Sequence, residues 1–397
     1  ALRMIPPLSI IILAMVLTGI MLRESIPLTV PIWGWMLLGA IGTLLAQQIS
    51  WHNALHAINW EIIGYLWGVF VIAEALEQSG LLEHITDRLF THCSTGTQAL
   101  YIVVFALGLS SALLMNDTTA IIGAPIILQL GRKHPALITP LLLALAYSIT
   151  LGSVFSPVGN PQNLLIALHS KMSTPFTSFF KTLIIPTLLN LLITALILTY
   201  TYRDTLSLKI NTIPPLRIHH KRNAYASLLA LIVFALLMTF NIVTETIYMK
   251  SALDFDIIAI ISTLPIFIAS PQRHTILKKI DWGTLIFFIS LFIIIQSVWD
   301  SGFIQTWLDP THHNLSNIPT ILSLSTLISQ MISNVPFVAL YLPLLQQANA
   351  PNEAYLALAA GSTVAGNLFV FGAASNIIIV QNVEKRGKSA FSFWQFT

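Results

Sequence analysis

Four times in this chain a long apolar run is interrupted near its centre. Two interruptions are polar: Met115-Asn116-Asp117-Thr118-Thr119 inside 97–131, and Ser333-Asn334-Val335-Pro336 inside 318–348. Two are glycine-rich: the string from Gly152 to Asn163 inside 136–169, and the string from Gly366 to Asn376 inside 353–383. Backbone N–H and C=O groups find no partner in lipid, so an interrupted helix persists there only inside protein or beside a water-filled cavity. Four such interruptions in one chain predict a shared polar cavity in mid-membrane.

Composition makes lipid the solvent. Of 397 residues 55% are hydrophobic and only 9% charged, against about 25% charged in soluble domains. The net charge of +3 is spread over short loops between apolar runs, which argues against a nucleic-acid partner. Cys93 is the single cysteine, so neither a disulfide framework nor a thiolate metal site is available. Helical spans are predicted at 6–22, 29–50, 60–78, 136–169, 182–202, 224–243, 253–270, 283–299 and 353–383. The first is expected to be a retained helix, since no small-residue cleavage site follows it. The runs 97–131 and 318–348 have halves of about 14 to 18 residues, short of the roughly 20 that a span needs, and predict re-entrant hairpins. Threading the chain with 203–223 inside leaves only Arg3, Lys171, Lys181 and Lys250 outside, in keeping with the bias of basic residues to the cytoplasm.

The chain reads as a doubled unit. Asn59-Trp60 opens a run that stops at Ser79-Gly80, and Asp281-Trp282 opens one that stops at Ser301-Gly302, at offset 222 throughout. Asn116 aligns with Asn334 and Pro125 with Pro343, and the two glycine-rich strings follow. Each unit has an odd number of crossings, so the copies are inverted. The expected fold is an all-α polytopic membrane protein of two inverted-topology repeats, each with a re-entrant hairpin and a broken transmembrane helix. Repeat one spans 1–202, with scaffold spans in 6–93, transport elements in 97–170 and a last span at 182–202. A cytosolic linker covers 203–223, with Pro214-Pro215 and His219-His220. Repeat two spans 224–397, with scaffold spans in 224–312 and transport elements in 318–384. Phe176-Thr-Ser-Phe-Phe resembles Phe391-Ser-Phe-Trp-Gln, so a further helix is expected after Thr397. The segments 80–93 and 301–312 are expected to lie along the membrane faces.

Half-helix N-termini beginning near Thr118, Pro161, Pro336 and Ser375 would bring partial positive charge to the cavity, and unwound carbonyls would offer cation ligands. The candidate substrate-binding residues are Asn116, Thr118, Thr119, Asn160, Pro161, Asn163, Ser333, Asn334, Ser375 and Asn376. The candidates for a coupling ion are Asp117, Ser156, Gly159, Asn160, Gly366, Asn367 and Gly372. Asp117 stands out, because an intramembrane carboxylate is costly and functional by default, and its counterpart is Val335. Capping of the half-helix behind it is the competing role. Glu74, near its helix end, reads as snorkelling. Small residues that only mediate close helix packing are the bland alternative for any one position. No His-Glu-x-x-His string, nucleophile–base pair or metal triad is present, so an enzyme is not expected. No cofactor or metal is expected beyond Na⁺ as coupling ion.

The strings Asn116-Asp117-Thr118-Thr119-Ala120, Ser156 to Asn163, Ile332-Ser333-Asn334-Val335-Pro336 and Gly372-Ala373-Ala374-Ser375-Asn376 resemble those of the ion transporter superfamily. That group includes arsenite pumps, citrate-type permeases, sodium/dicarboxylate symporters and one branch of Na⁺/H⁺ antiporters, and the nearest likeness is to the arsenite-pump-like anion permeases. The resemblance implies a homodimer, a scaffold domain, and a transport domain that moves as an elevator. Dicarboxylate symporters carry Ser-Asn-Thr at both tips, whereas these tips read Met-Asn-Asp and Ser-Asn-Val, which weakens a dicarboxylate assignment.

The leading expectation is a secondary-active transporter of a small anion, oxyanion or metalloid, coupled to Na⁺ or H⁺, in a bacterial cytoplasmic membrane. Its partners would be a small anionic or polar solute, lipid and a second copy. The alternatives are a Na⁺(Li⁺)/H⁺ antiporter using Asp117 and, ranked lower, a passive anion channel.

Overall fold

The computed structural model describes residues 7–22, 30–81, 88, 90, 93–132, 134–170, 172–210, 221–248, 250, 252–303, 316–332, 334–384 and 386–397. Within them the chain is helical apart from its turns and one isolated bridge between Thr95 and Lys209. In the first half the helices are α1 (Leu8–Leu22), α2 (Ile32–Leu45), α3 (Trp51–Ala57), α4 (Trp60–Ser79), α5 (Gly96–Leu114), α6 (Asn116–Gly131), α7 (Ile138–Gly152), α8 (Pro161–His169) and α9 (Pro175–Thr201). In the second half they are α10 (Lys221–Tyr248), α11 (Phe255–Ala269), α12 (Arg273–Lys279), α13 (Trp282–Asp300), α14 (Ile318–Ile332), α15 (Asn334–Gln347), α16 (Asn352–Val364) and α17 (Ala374–Glu384).

Six stretches among the described residues are long and apolar enough to cross a membrane: Trp60–Ser79, Gly96–Leu114, Pro135–Gly152, Pro175–Thr201, Lys221–Tyr248 and Trp282–Asp300. Every described Lys and Arg is exposed. Exposed Leu, Ile and Phe side chains run the length of α9 and α10. A surface of that kind is stable in lipid.

Local signals set the element ends. The Asn59 side chain accepts from the Ile62 amide at 3.0 Å and caps α4, and the Asp281 side chain accepts from the Thr284 amide at 3.0 Å and caps α13. Each removes one orphan N–H of a helix start. Both helices stop where a glycine takes the left-handed conformation, Gly80 at φ 73° and Gly302 at φ 70°, a backbone position that side chains disfavour.

Packing exchanges elements between the halves. Helix α4 packs on α11 and α12, while α13 packs on α2 and α3. Within each half the first arm of a hairpin packs on the helix leading into a glycine-rich break, α5 on α7 and α14 on α16. The second arms cross over, α6 onto α17 and α15 onto α8. Single bonds pin these crossings: Asn382 Nδ2 donates to Ile121 O at 3.3 Å and Gln346 Nε2 to His169 O at 2.6 Å.

These contacts define two ends of the bundle. At one end a Cβ on Gly96 would lie 2.7 Å from Leu137 Cδ2, and one on Gly131 would lie 2.2 Å from Ile138 Cγ1. Both ends of the α5–α6 hairpin therefore meet the same turn. Arg386 pairs with Glu77 at 3.6 Å and Ser227 donates to Ala75 O at 2.9 Å at this end as well. At the other end Glu61 accepts from the Phe255 amide and buried Glu245 from the Thr177 amide. The hairpin tip lies between, since the Asn116 amide donates to Gly159 O in the middle of the α7–α8 pair at 2.9 Å.

Several expected boundaries shift. The arm α5 is continuous over 19 residues, with one wider π-type turn at Val103–Leu107, so it is longer than a half-span. Helix α6 starts at Asn116, α15 at Asn334 and α17 at Ala374, each one or two residues before its expected start. Phe176 to Phe180 form the first turns of α9 instead of preceding it, because Pro175 suits a first helical turn. Helix α10 begins at Lys221, inside the expected linker. Residues 211–220, most of 80–93 and nearly all of 301–312 lie outside the described residues, and with them the Pro214-Pro215 and His219-His220 readings.

Close glycine approaches give a direct test. A Cβ on Gly152 would sit 1.9 Å from Gly108 O, and one on Gly68 would sit 2.7 Å from the Ala259 carbonyl carbon, both backbone atoms, whereas at Gly42 the nearest atom is 3.9 Å away. Gly152→Ala and Gly68→Ala should each destabilise by about 1–3 kcal/mol, the usual range for overpacking. Gly42→Ala should leave the thermal midpoint in detergent unchanged.

Candidate functional site

The site is built where the two glycine-rich breaks meet the two hairpin tips. Helix α7 ends at Gly152 and α8 begins at Pro161, so the intervening carbonyls lose their helical partners. Asn163 replaces them. Its Nδ2 lies within bonding distance of three carbonyls, Ser153 O at 3.2 Å, Val154 O at 3.2 Å and Ser156 O at 3.0 Å. Asn160 caps α8, accepting from the Asn163 amide at 2.8 Å, while its Nδ2 reaches Ser153 Oγ at 3.0 Å and Thr363 Oγ1 at 3.2 Å. A Cβ on Gly159 would lie 2.2 Å from Ser153 O, so only glycine lets the loop fold this tightly.

The second break carries an equivalent bond. Asn376 Nδ2 donates to Gly366 O at 2.9 Å, with Asn376 standing where Asn163 stands and Gly366 where Ser153 stands. Gln330, on the last turns of α14, donates from Nε2 to Ala365 O at 2.5 Å and to Thr326 O at 3.1 Å. A Cβ on Gly366 would lie 2.8 Å from Ala373 Cβ and 3.4 Å from Asn334 Nδ2, and one on Gly372 would lie 2.8 Å from Gln330 Oε1. Asn334, Gln330, Gly366, Gly372 and Asn376 thus share one small volume.

Thr363 joins the halves. Its hydroxyl accepts from Asn160 Nδ2 and from Gln162 Nε2 at 3.3 Å, and donates to Asn163 Oδ1 at 3.3 Å. Across from it, Thr150 Cγ2 lies 3.5 Å from the position of a Gly366 Cβ. Both breaks therefore belong to one polar centre.

The halves differ in how far they are satisfied. The amides of Asn160 and Asn163 are used within the first break and on Thr363. In the second, Gln330 Oε1, Asn334 Oδ1, Asn367 Oδ1, Ser375 Oγ and Asn376 Oδ1 are buried with no hydrogen-bond partner among the described residues. Each unmade buried bond costs about 1–3 kcal/mol. No Lys or Arg reaches this centre, all described ones being exposed.

The expected site residues divide accordingly. Asn116, Ser156, Gly159, Asn160, Pro161 and Asn163 gather at the first break, and Asn334, Gly366, Gly372, Ser375 and Asn376 at the second. Asn367 is tied outward to Tyr147 O at 3.1 Å. Thr118 does not join them: its unpartnered hydroxyl lines a small apolar void with Val69, Ala73 and Phe234. Thr119 donates back to Met115 O at 2.8 Å within its own helix. Ser333 lies outside the described residues. Asp117 is half-buried in the first turn of α6, and its carboxylate makes no hydrogen bond or ion pair with another described residue. No side chain caps this helix start; Asn116 Oδ1 accepts only from the adjacent Asp117 amide at 2.9 Å. Asp281 is the acidic group within electrostatic reach of Asp117. Glu74 accepts from Gln78 at 2.5 Å one turn before its helix end. Gln330, Gln162, Ser153 and Thr363 were not singled out from the sequence. An offset of 213 pairs Thr363 with Thr150 and would have marked both.

Broken apolar helices around a polar centre that no described Lys or Arg enters define a multi-pass membrane transporter. The chain belongs to the citrate transporter family, whose profile matches residues 12–365; this is an anion transporter family and not an enzyme family. The chain is 26% identical over 362 residues to a 46 kDa membrane protein of Mycobacterium leprae, covering 86% of this chain and 82% of that protein. It is 26% identical over 430 aligned positions to the silicon efflux transporter LSI3 of Oryza sativa subsp. japonica, covering 90% and 87%. Its fold is similar to that of the Alcanivorax borkumensis YdaH transporter, with a TM-score of 0.55 at 15% identity over 98% of this chain and 92% of that one.

Asn163 should be the most sensitive amide. Asn163→Leu removes the donor for the loop carbonyls and should lower stability by on the order of 3 kcal/mol. Asn163→Asp should do no better, because a carboxylate cannot donate. Thermal unfolding in micelles reads both.

Proposed function

We propose that this chain is a secondary-active transporter of a small oxygen-rich solute, an anion or a metalloid oxyacid, built as two inverted repeats and coupled to Na⁺ or H⁺. The observation that carries the reading is the set of unpartnered buried oxygens around Asn334, Gln330 and Asn376, beside the amides of the first break. Such groups are retained in a fold when a ligand meets them. Solute and ion would sit at the two breaks, held by amides, carbonyls and helix termini instead of fixed charge.

The exchange of packing partners between halves, α4 on α11 and α13 on α2, supports the inverted repeats. The tip bond from Asn116 to Gly159 supports re-entrant hairpins that turn in mid-membrane. In this reading α5–α8 and α14–α17 move as an elevator against the scaffold helices. The apolar contact of Thr118 with α4 favours that, because it has no hydrogen bonds to break. The likeness to a silicon efflux transporter supports an oxyacid as cargo. We place the protein as a homodimer in a bacterial cytoplasmic membrane.

A second reading, a Na⁺(Li⁺)/H⁺ antiporter, is favoured by one observation: the Asp117 carboxylate lacks an ion pair among the described residues and has Asp281 within reach. A mid-membrane carboxylate without a fixed cation beside it suits proton-for-cation exchange.

Flux into proteoliposomes under Na⁺ or pH gradients tests both. Arsenite, silicic acid, sulfate and citrate should be compared. Asn334→Ala and Asn376→Ala should each lower flux of the transported solute at least tenfold. Asp117→Asn should abolish all activity in an antiporter and leave measurable solute flux in an oxyacid carrier. Full flux in both asparagine variants would remove the site.

A further inference from the structure

The second break has a chemical polarity that its residue types do not reveal. An amide offers a donor and an acceptor end, and which end faces a ligand depends on where the other is tied. Gln330 Nε2 spends its two hydrogens on Ala365 O and Thr326 O. Asn376 Nδ2 is held by Gly366 O and Asn367 Nδ2 by Tyr147 O. Each nitrogen faces a carbonyl, which can only accept, so the orientation is fixed by its partners. What these three amides leave open are oxygens, all buried and without a partner among the described residues.

Gln330 is the distinctive member. Asn376 has a polar counterpart in Asn163, but the position matching Gln330 in the first half is Ala112. Its Oε1 looks at Gly372, where any side chain would begin 2.8 Å away. The glycine leaves that oxygen a free approach.

We infer that Gln330 is a ligand-contacting residue that sets specificity. Its face of the site takes species presenting positive charge or hydroxyl hydrogens, a dehydrated monovalent cation or an undissociated oxyacid, in preference to a bare oxyanion. This rests on the transport site proposed above and adds to it the sign of the ligand. The repeat-one break, with its amides already committed, does not share that role.

The test uses the purified full chain in detergent, with ligand-induced shifts in thermal midpoint titrated for sodium and lithium chloride, boric and arsenous acid at neutral pH, and sulfate and citrate as choline salts. The wild-type protein should respond to the alkali cations or to the two acids, and the pair that responds identifies the source of the positive edge. Gln330→Leu should weaken that response at least tenfold. Gln330→Glu keeps an acceptor but gives up the donations to Ala365 O and Thr326 O, so where it folds it should keep or strengthen a cation response. Gly372→Ala, which keeps both donations and sets a methyl 2.8 Å from Oε1, should weaken either response and covers the case in which the leucine variant fails to fold. If Asn334→Ala abolishes the response while Gln330→Leu and Gln330→Glu both behave as wild type, the site stands and Gln330 is not part of it. If none of the three changes any response, the site itself is misplaced. A wild-type response confined to the choline salts of sulfate and citrate would overturn the preference for donors.

Discussion

The structure depends on the backbone at each break being satisfied without water. In the middle of an apolar bundle a carbonyl that leaves its helix needs another donor. A side-chain amide is suited to this, since it carries the same N–H group as the backbone on a short tether. Asn163 serves the carbonyls of the first break, and Asn376 serves Gly366 O in the second. The glycines around them are there because the loop doubles back within van der Waals distance of itself, as at Gly159 against Ser153 O. Without those amide bonds the helices on either side would have no reason to stop where they do, and the tips would have no wall to meet.

That requirement explains how much could be read from residues alone. Caps and stops are local: Asn59 and Asp281 before a tryptophan, Gly80 and Gly302 after a serine, each act within one turn. The proposed doubling of the chain rests on such signals, which recur at an offset of 222 at both ends of the two capped helices. The convergence of breaks was legible because lipid leaves no other place for them. Orientation within an element was not. Thr118 looks like a site hydroxyl in a polar string, yet helix α6 begins two residues earlier than expected and turns it toward Val69 and Phe234. The length of α5 was also hidden, since an apolar run does not reveal whether its helix spans or turns back.

Gln330 and Thr363 illustrate a second limit. Neither lies in a motif, and each is an ordinary polar residue inside an apolar helix. Their meaning arises between elements: Gln330 faces a carbonyl of the following broken helix, and Thr363 faces three amides of the other half. Partners some two hundred residues away leave no local trace. Only the internal offset, which brings Thr363 opposite Thr150, carries a hint.

The two halves share a frame and divide its chemistry. The first break is satisfied by its own amides together with Thr363, so it can persist as a rigid loop whether or not a ligand is bound. The second keeps open oxygens at Asn334, Gln330 and Asn376 that the protein does not meet. The free carboxylate of Asp117 stands at the opposite tip, with Val335 as its counterpart. A site of this kind is incomplete by itself. In the transporter proposed above, its free energy would fall when a ligand supplies donors to the second half, and the balance would shift again when Asp117 changes its proton or ion. On that reading, open acceptors and carboxylate on different tips would let solute and coupling species act on separate hairpins of one body. Coupling between them would then travel through Thr363, the hydroxyl that holds the two breaks together.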